Sequence, residues 1–184
     1  MMYLNERIDD LQRGGLRVIQ RADAFRFGTD AVLLADFAAP RRHDRVCDLG
    51  TGTGIIPLLL YARENTISAD AVEIQPDMAD MAARSMAMNG LNDKIRVLPG
   101  DLRSIRTLLP HARYDLVTCN PPYGKAGGTL LNPDASKRLA RHEESCAIED
   151  VACAAAWLLQ NGGRLCCVFP AARMIELSDA MRKY

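Results

Sequence analysis

Five short apolar runs, each followed by a stretch of helical character, limit what this chain can fold into more than any other feature. They lie at 45–49, 69–74, 94–98, 114–119 and 164–169, and each is rich in Val, Ile, Leu or Cys. Strands that carry apolar residues at nearly every position are buried on both faces, and strands that alternate with helices build a parallel sheet with crossover connections. The expected class is therefore α/β, with helices on both faces of a mostly parallel sheet. Pro57 and Pro76 fall in first helical turns, where a missing N–H does no harm, and Asn89-Gly90 and Gly162-Gly163 supply left-handed helix stops. On the second helix Met78, Met81, Ala82, Ser85 and Met86 recur at three- and four-residue intervals, the spacing of a core-packing face.

With 184 residues, the expectation is one domain over 1–184, with residues 1–40 as an amino-terminal cover. The cover reads as a strand at 17–20, a polar turn at 21–24, and a helix at 30–38 capped by Thr29. Residues 124–145 hold adjacent glycines, a proline and mixed charge, with a short helix expected at 136–142, and read as a lid or substrate loop. After Phe169 a single helix at 171–184 is expected and no further strand. That would leave the fifth strand with an open edge, which predicts pairing with a second copy or a chain that is part of a longer protein.

Lys plus Arg and Asp plus Glu each number 23, so no global field draws in a polyanion, and nucleic-acid contact would rest on a local patch. The longest apolar stretch, 151–159, is far shorter than the ~20 residues needed to cross a bilayer, so no membrane partner is expected. Glu6, Asp9 and Asp10 stand where a secretion signal would be basic and then apolar. Six cysteines occur without a CxxC pair or a histidine at ligand spacing. They read as core residues of a protein in a reducing, cytoplasmic compartment, and no metal is expected.

The first of the five runs ends in Asp48-Leu49-Gly50-Thr51-Gly52-Thr53-Gly54, directly before a helical stretch. Alternate glycines let the backbone adopt positive φ and let a ligand approach, while the helix start offers free N–H groups. The dinucleotide fingerprint needs a third small residue where this chain has Ile55. The spacing resembles instead motif I of Rossmann-like methyltransferases, which implies S-adenosylmethionine as cofactor. Glu73 ends the second run, where a carboxylate can accept hydrogen bonds from both ribose hydroxyls. Asp101, after the third run, is suited to accept from the adenine amine and equally to cap the helix expected at 102–109.

The fourth run stops at Asn120-Pro121-Pro122-Tyr123. Two prolines fix φ, remove two donors and hold Asn120 extended, so the Asn120 amide oxygen and the Pro121 carbonyl are candidates to accept both hydrogens of one planar amine. Bonding both hydrogens localises the amine lone pair for attack on a methyl carbon. Tyr123 offers an aromatic face for a planar acceptor. These residues resemble the amino methyltransferases with an (N/D)PP(Y/F/W) motif, which act on adenine N6, guanine N2 or protein glutamine. Residues 23–35 look like the amino-terminal signature of the bacterial tRNA (adenine-N6)-methyltransferases that modify valine tRNA beside the anticodon. That resemblance implies a class I, Rossmann-like methyltransferase fold, tRNA as partner, and Phe27, Thr29 and Asp30 lining the methionine end of the cofactor pocket. The alternatives are transfer to release-factor glutamine, to guanine N2 or DNA adenine, or a partner-dependent nucleotide-binding subunit. Lys125, Lys137, Arg138 and Arg141 are opposed by Asp134, Glu143 and Glu144, so the segment reads equally as solvated surface or RNA contact.

Overall fold

The computed structural model describes residues 3–21, 28–121 and 147–184. The loop expected at 124–145, its short helix and its charge cluster lie outside the described residues, as do the turn at 22–24, Phe27, Pro122 and Tyr123.

The chain opens with an antiparallel hairpin of β1 (Glu6–Asp10) and β2 (Arg17–Arg21). Sequence reasoning anticipated β2 but not β1, whose only apolar residue is Ile8. Long-range contacts hold the hairpin to α3 (Pro76–Met88): Arg84, itself paired within the helix to Asp80 at 2.8 Å, reaches Glu6 at 2.6 Å. The Ile19 N–H donates to the buried Ser85 hydroxyl at 3.0 Å, and the Arg17 N–H to Asn89 Oδ1 at 2.9 Å. The Arg84 guanidinium holds the Glu6 carboxyl below the usual carboxylate range.

Helix α1 (Thr29–Ala38) begins at Thr29 itself, with Gly28 at the N-cap and no side-chain cap bond, which corrects the expectation that Thr29 caps it. The sheet then builds outward: β3 (Arg45–Leu49), α2 (Ile55–Arg63), β4 (Ser68–Glu73), α3, and β5 (Ile95–Pro99). The helix expected at 102–109 divides into a 3-10 turn, Leu102–Ser104, and a one-turn α4 (Ile105–Leu108). The chain next returns to the other side of β3 as β6 (Tyr114–Cys119). From residue 147 onward come α5 (Ile148–Leu158), β7 (Leu159–Cys167), a 3-10 turn and α6 (Met174–Arg182). Gly90, at φ 68, stops α3 as expected, but Gly162-Gly163 does not stop α5. That helix ends at Leu158, and Gly162, at φ 79, lies within β7 where the register against β6 shifts. The strand begins earlier than expected because Leu159 already pairs with Tyr114.

All four strand contacts in the sheet are parallel and the order is β5-β4-β3-β6-β7. Among the described residues no strand pairs with the outer side of β7. One apolar cluster joins α1, α2 and α3 to Val46, Ala69 and Leu116; another joins α4, α5 and α6 to Cys47, Val72 and Val117. Because side chains alternate along a strand, Asp48, Glu73 and Thr118 share the face of Val46, Ala69 and Leu116. Cys47, Cys119 and Cys166 are buried, as expected of core cysteines. No helix among the described residues is long and apolar enough to cross a membrane.

Candidate active site

The chain leaves β3 in one direction towards β4 and returns on its other side as β6, so the carboxyl ends of β3 and β6 flank the point where strand order reverses. In open α/β sheets that crevice is where ligands bind. The turn after β3 occupies it, with Gly50, Gly52 and Gly54 at φ 71, 57 and 82. The N–H groups of Gly50 and Thr51 both donate to the Val72 carbonyl, at 2.9 and 3.0 Å, tying the turn to β4. Among the described residues a side chain at Gly50 would meet nothing within 4 Å, and one at Gly52 would make an ordinary contact with the Met78 methyl at 3.8 Å. Gly54 has a different constraint: a Cβ there would lie 2.5 Å from Met86 Cε and 3.3 Å from Ala82 Cβ, so it permits α2 to pack on α3.

Glu73 is 4% exposed at the end of β4. Its Oε2 accepts the Gly52 N–H at 2.8 Å and its Oε1 the Gln75 N–H at 2.9 Å. A carboxylate offers about four acceptor positions, so these bonds orient Glu73 and leave capacity for ligand hydroxyls. Asp101 follows β5 and caps the 3-10 turn, accepting the Arg103 N–H at 2.9 Å and pairing with that guanidinium at 2.5 Å. The Arg103 contact holds the Asp101 carboxyl below the usual range.

Asp48 does not line the surface of the turn; it sits beneath it, 0% exposed. Its Oδ1 accepts the hydroxyl of Thr118, also 0% exposed, at 2.6 Å. The Thr51 hydroxyl is close enough to act on the carboxyl but makes no bond of good geometry, so among the described residues Asp48 Oδ2 and Thr51 Oγ1 both lack a hydrogen-bond partner. Burial pushes Asp48 up to about 7, the Thr118 and Thr51 hydroxyls pull it down, and the nearby Glu73 charge adds to the rise.

Asn120 and Pro121 are half-buried just past β6. Leu49 and Cys119 are the last register partners of β3 and β6, so Gly50 and Asn120 follow adjacent strand ends at the same edge of the sheet. Thr29 and Asp30 are exposed in the first turn of α1, which packs on α2. The structure thus gathers Asp48, Gly50, Gly52, Glu73 and Asn120 around adjoining strand ends. Sequence reasoning passed over Thr118, Thr51 and Gln75. The available signal was a lone hydroxyl among apolar residues, Leu116-Val117-Thr118-Cys119, at the position paired with Asp48.

This sheet order, with a glycine turn at its switch point, defines an α/β, class I Rossmann-like methyltransferase fold. It is shared with a crystal structure of a predicted O-methyltransferase from Agrobacterium tumefaciens (26% identity, TM-score 0.64, 82% of this chain and 66% of that one). TrmN from Thermus thermophilus is also similar (26% identity, TM-score 0.61, 82% of this chain and 40% of that one). The chain belongs to the Methyltransferase small domain family, which it matches over residues 22–184. Curated relatives named tRNA1(Val) (adenine(37)-N6)-methyltransferase include one from Porphyromonas gingivalis, 36% identical over 164 residues. Another, from Pedobacter heparinus, is 32% identical over 165 residues, covering 90% of this chain and 68% of that protein. Against the Porphyromonas relative, 86% of this chain aligns with 64% of that protein, so the chain spans less than two thirds of its length.

Proposed function

We propose that this chain transfers a methyl group from S-adenosylmethionine to the N6 amine of an adenine in tRNA, acting in the cytoplasm. The observation that supports this reading is the parallel register of β3 and β6, whose neighbouring carboxyl ends lead into the glycine turn and into Asn120 and Pro121. The curated relatives' names supply the substrate, adenine in valine tRNA. The uncrowded turn at Gly50 and Gly52 among the described residues and the oriented carboxylate of Glu73 support a nucleoside cofactor.

In this reading Glu73 accepts the ribose hydroxyls, Asp101 accepts from the adenine amine, and Gly50, Gly52 and Gly54 shape the turn. Asp48 acts from beneath that turn, and Phe27, Thr29 and Asp30 bound the methionine end. When bound, the cofactor would supply the sulfonium methyl group, and its sulfur would keep the electron pair of the carbon–sulfur bond that is lost. Asn120 and Pro121 accept the amine hydrogens and aim the nitrogen lone pair at that carbon, and Tyr123 stacks on the base. The nitrogen gains the methyl group and gives up one proton to water. Orientation does most of the work, since alignment of reacting groups contributes more than any base in such a transfer.

The test is incubation of this chain with labelled S-adenosylmethionine and separate pools of tRNA, DNA and release factor. The label is expected in tRNA, and Asn120→Ala is expected to abolish it. Label confined to DNA or release factor overturns the substrate, and no transfer to any pool overturns the activity.

A further inference from the structure

Asp48 and Thr118 are register partners on β3 and β6, each two residues before a position of the proposed site, Gly50 and Asn120. Both are 0% exposed, and the Thr118 hydroxyl donates to Asp48 Oδ1 at 2.6 Å. A buried carboxyl with one oxygen unpartnered is costly as an anion unless donors hold it, and among the described residues Thr118 donates to it in good geometry. Resting on the methyl-transfer reading above, we propose that Thr118 is a positioning residue: its hydroxyl keeps Asp48 ionised beneath the glycine turn. That buried anion makes the site prefer the sulfonium cofactor to the uncharged thioether left after transfer.

The two compounds differ by one methyl group and one positive charge, and a buried anion acts on that charge with little screening by solvent. Preference for the sulfonium therefore follows the ionisation of Asp48. Glu73 on β4 opposes that ionisation, and the hydroxyls of Thr118 on β6 and Thr51 on the turn favour it. Cys47, its neighbour on β3, is held neutral by burial, which pushes its thiol well above the usual range. Asp48 is balanced near neutrality, at about 7, so the loss of a single donor changes its charge at working pH.

The experiment is calorimetric binding of S-adenosylmethionine and S-adenosylhomocysteine to this chain, Thr118→Val and Thr118→Ser, from about pH 6 to about pH 9 in buffers of different ionisation enthalpy. In the wild type, preference for the sulfonium compound should grow with pH. Its binding near neutrality should release protons that S-adenosylhomocysteine does not. Thr118→Val should lower the preference at neutral pH roughly tenfold, the worth of a hydrogen bond to a charged group, and regain it at higher pH. Thr118→Ser keeps the hydroxyl and should restore the wild-type profile, which a purely packing role for Thr118 would not require. If Thr118→Val fails to fold, proton release by the wild type decides. A wild type that binds neither compound overturns the methyl-transfer reading. A wild type that binds both, with no proton release and a pH-independent ratio, or a Thr118→Val ratio unchanged at every pH, overturns this inference alone.

Discussion

Replacing Asp48 with Asn should abolish a pH-dependent loss of stability that the wild type carries at this position. The folded carboxyl sits at about 7 against an ordinary value of 3.8, because burial outweighs the hydroxyl donors. Between those values the folded state holds a proton that the unfolded chain has released, so stability falls as pH rises through the window and levels off above about 7. At about 1.4 kcal/mol for each pH unit, the loss accumulated by about pH 8 is roughly 4 kcal/mol. Asparagine keeps the oxygen that accepts from Thr118 and places an NH2 near the unpartnered Thr51 hydroxyl, so the neutral side chain fits without new desolvated charge. Glu6 and Asp101, whose carboxyls are depressed, act in the opposite direction, with stability lost as pH falls, and cancel when the two proteins are compared. Urea unfolding at several pH values is the assay. The stability of Asp48→Asn relative to wild type should rise by a few kcal/mol between about pH 4 and about pH 8. Parallel curves for the two proteins would refute the assignment of a raised Asp48.

Gly54→Ala should destabilise the fold by roughly 2 to 4 kcal/mol, because it adds overpacking against Met86 and Ala82 to a left-handed backbone; an unchanged urea midpoint would contradict the packing role. Glu73→Ala should weaken S-adenosylmethionine binding by about 1.5 to 3 kcal/mol in calorimetry, the worth of charge-assisted bonds, and equal affinities would remove Glu73 from the site. Tyr123→Phe should retain transfer while Tyr123→Ala loses it, since the aromatic face is what stacks; equal inactivity would assign the role to the hydroxyl. The outer side of β7 pairs with no described strand, so light scattering should detect concentration-dependent self-association, and a monomer at all concentrations would refute that edge contact.

The inner strands β3, β4 and β6 were legible because they are buried along most of their length and are written in apolar residues, and β5 and β7, partly exposed at the sheet edges, still carry apolar runs. β1 was not, since Glu6, Arg7, Asp9 and Asp10 read as surface and the hairpin is held by Arg84, 78 positions away from Glu6. The start of β7 was hidden for a related reason: its pairing with Tyr114 takes over directly at the end of α5, and Gly162 serves the shift in register instead of a helix stop. At the site, Glu73 and the glycines were visible because their spacing has few other uses. Thr118 was invisible because a buried threonine looks like any strand residue until its register partner is known to be a buried carboxyl.

The central claim is chemical, and nucleoside analysis of the product tests it most directly. Unmodified valine tRNA incubated with this chain and S-adenosylmethionine, then digested and resolved by mass spectrometry, should yield N6-methyladenosine, and Asn120→Ala should yield none. A methyl group found on guanine, on a ribose oxygen or on a ring nitrogen of adenine would contradict the claim.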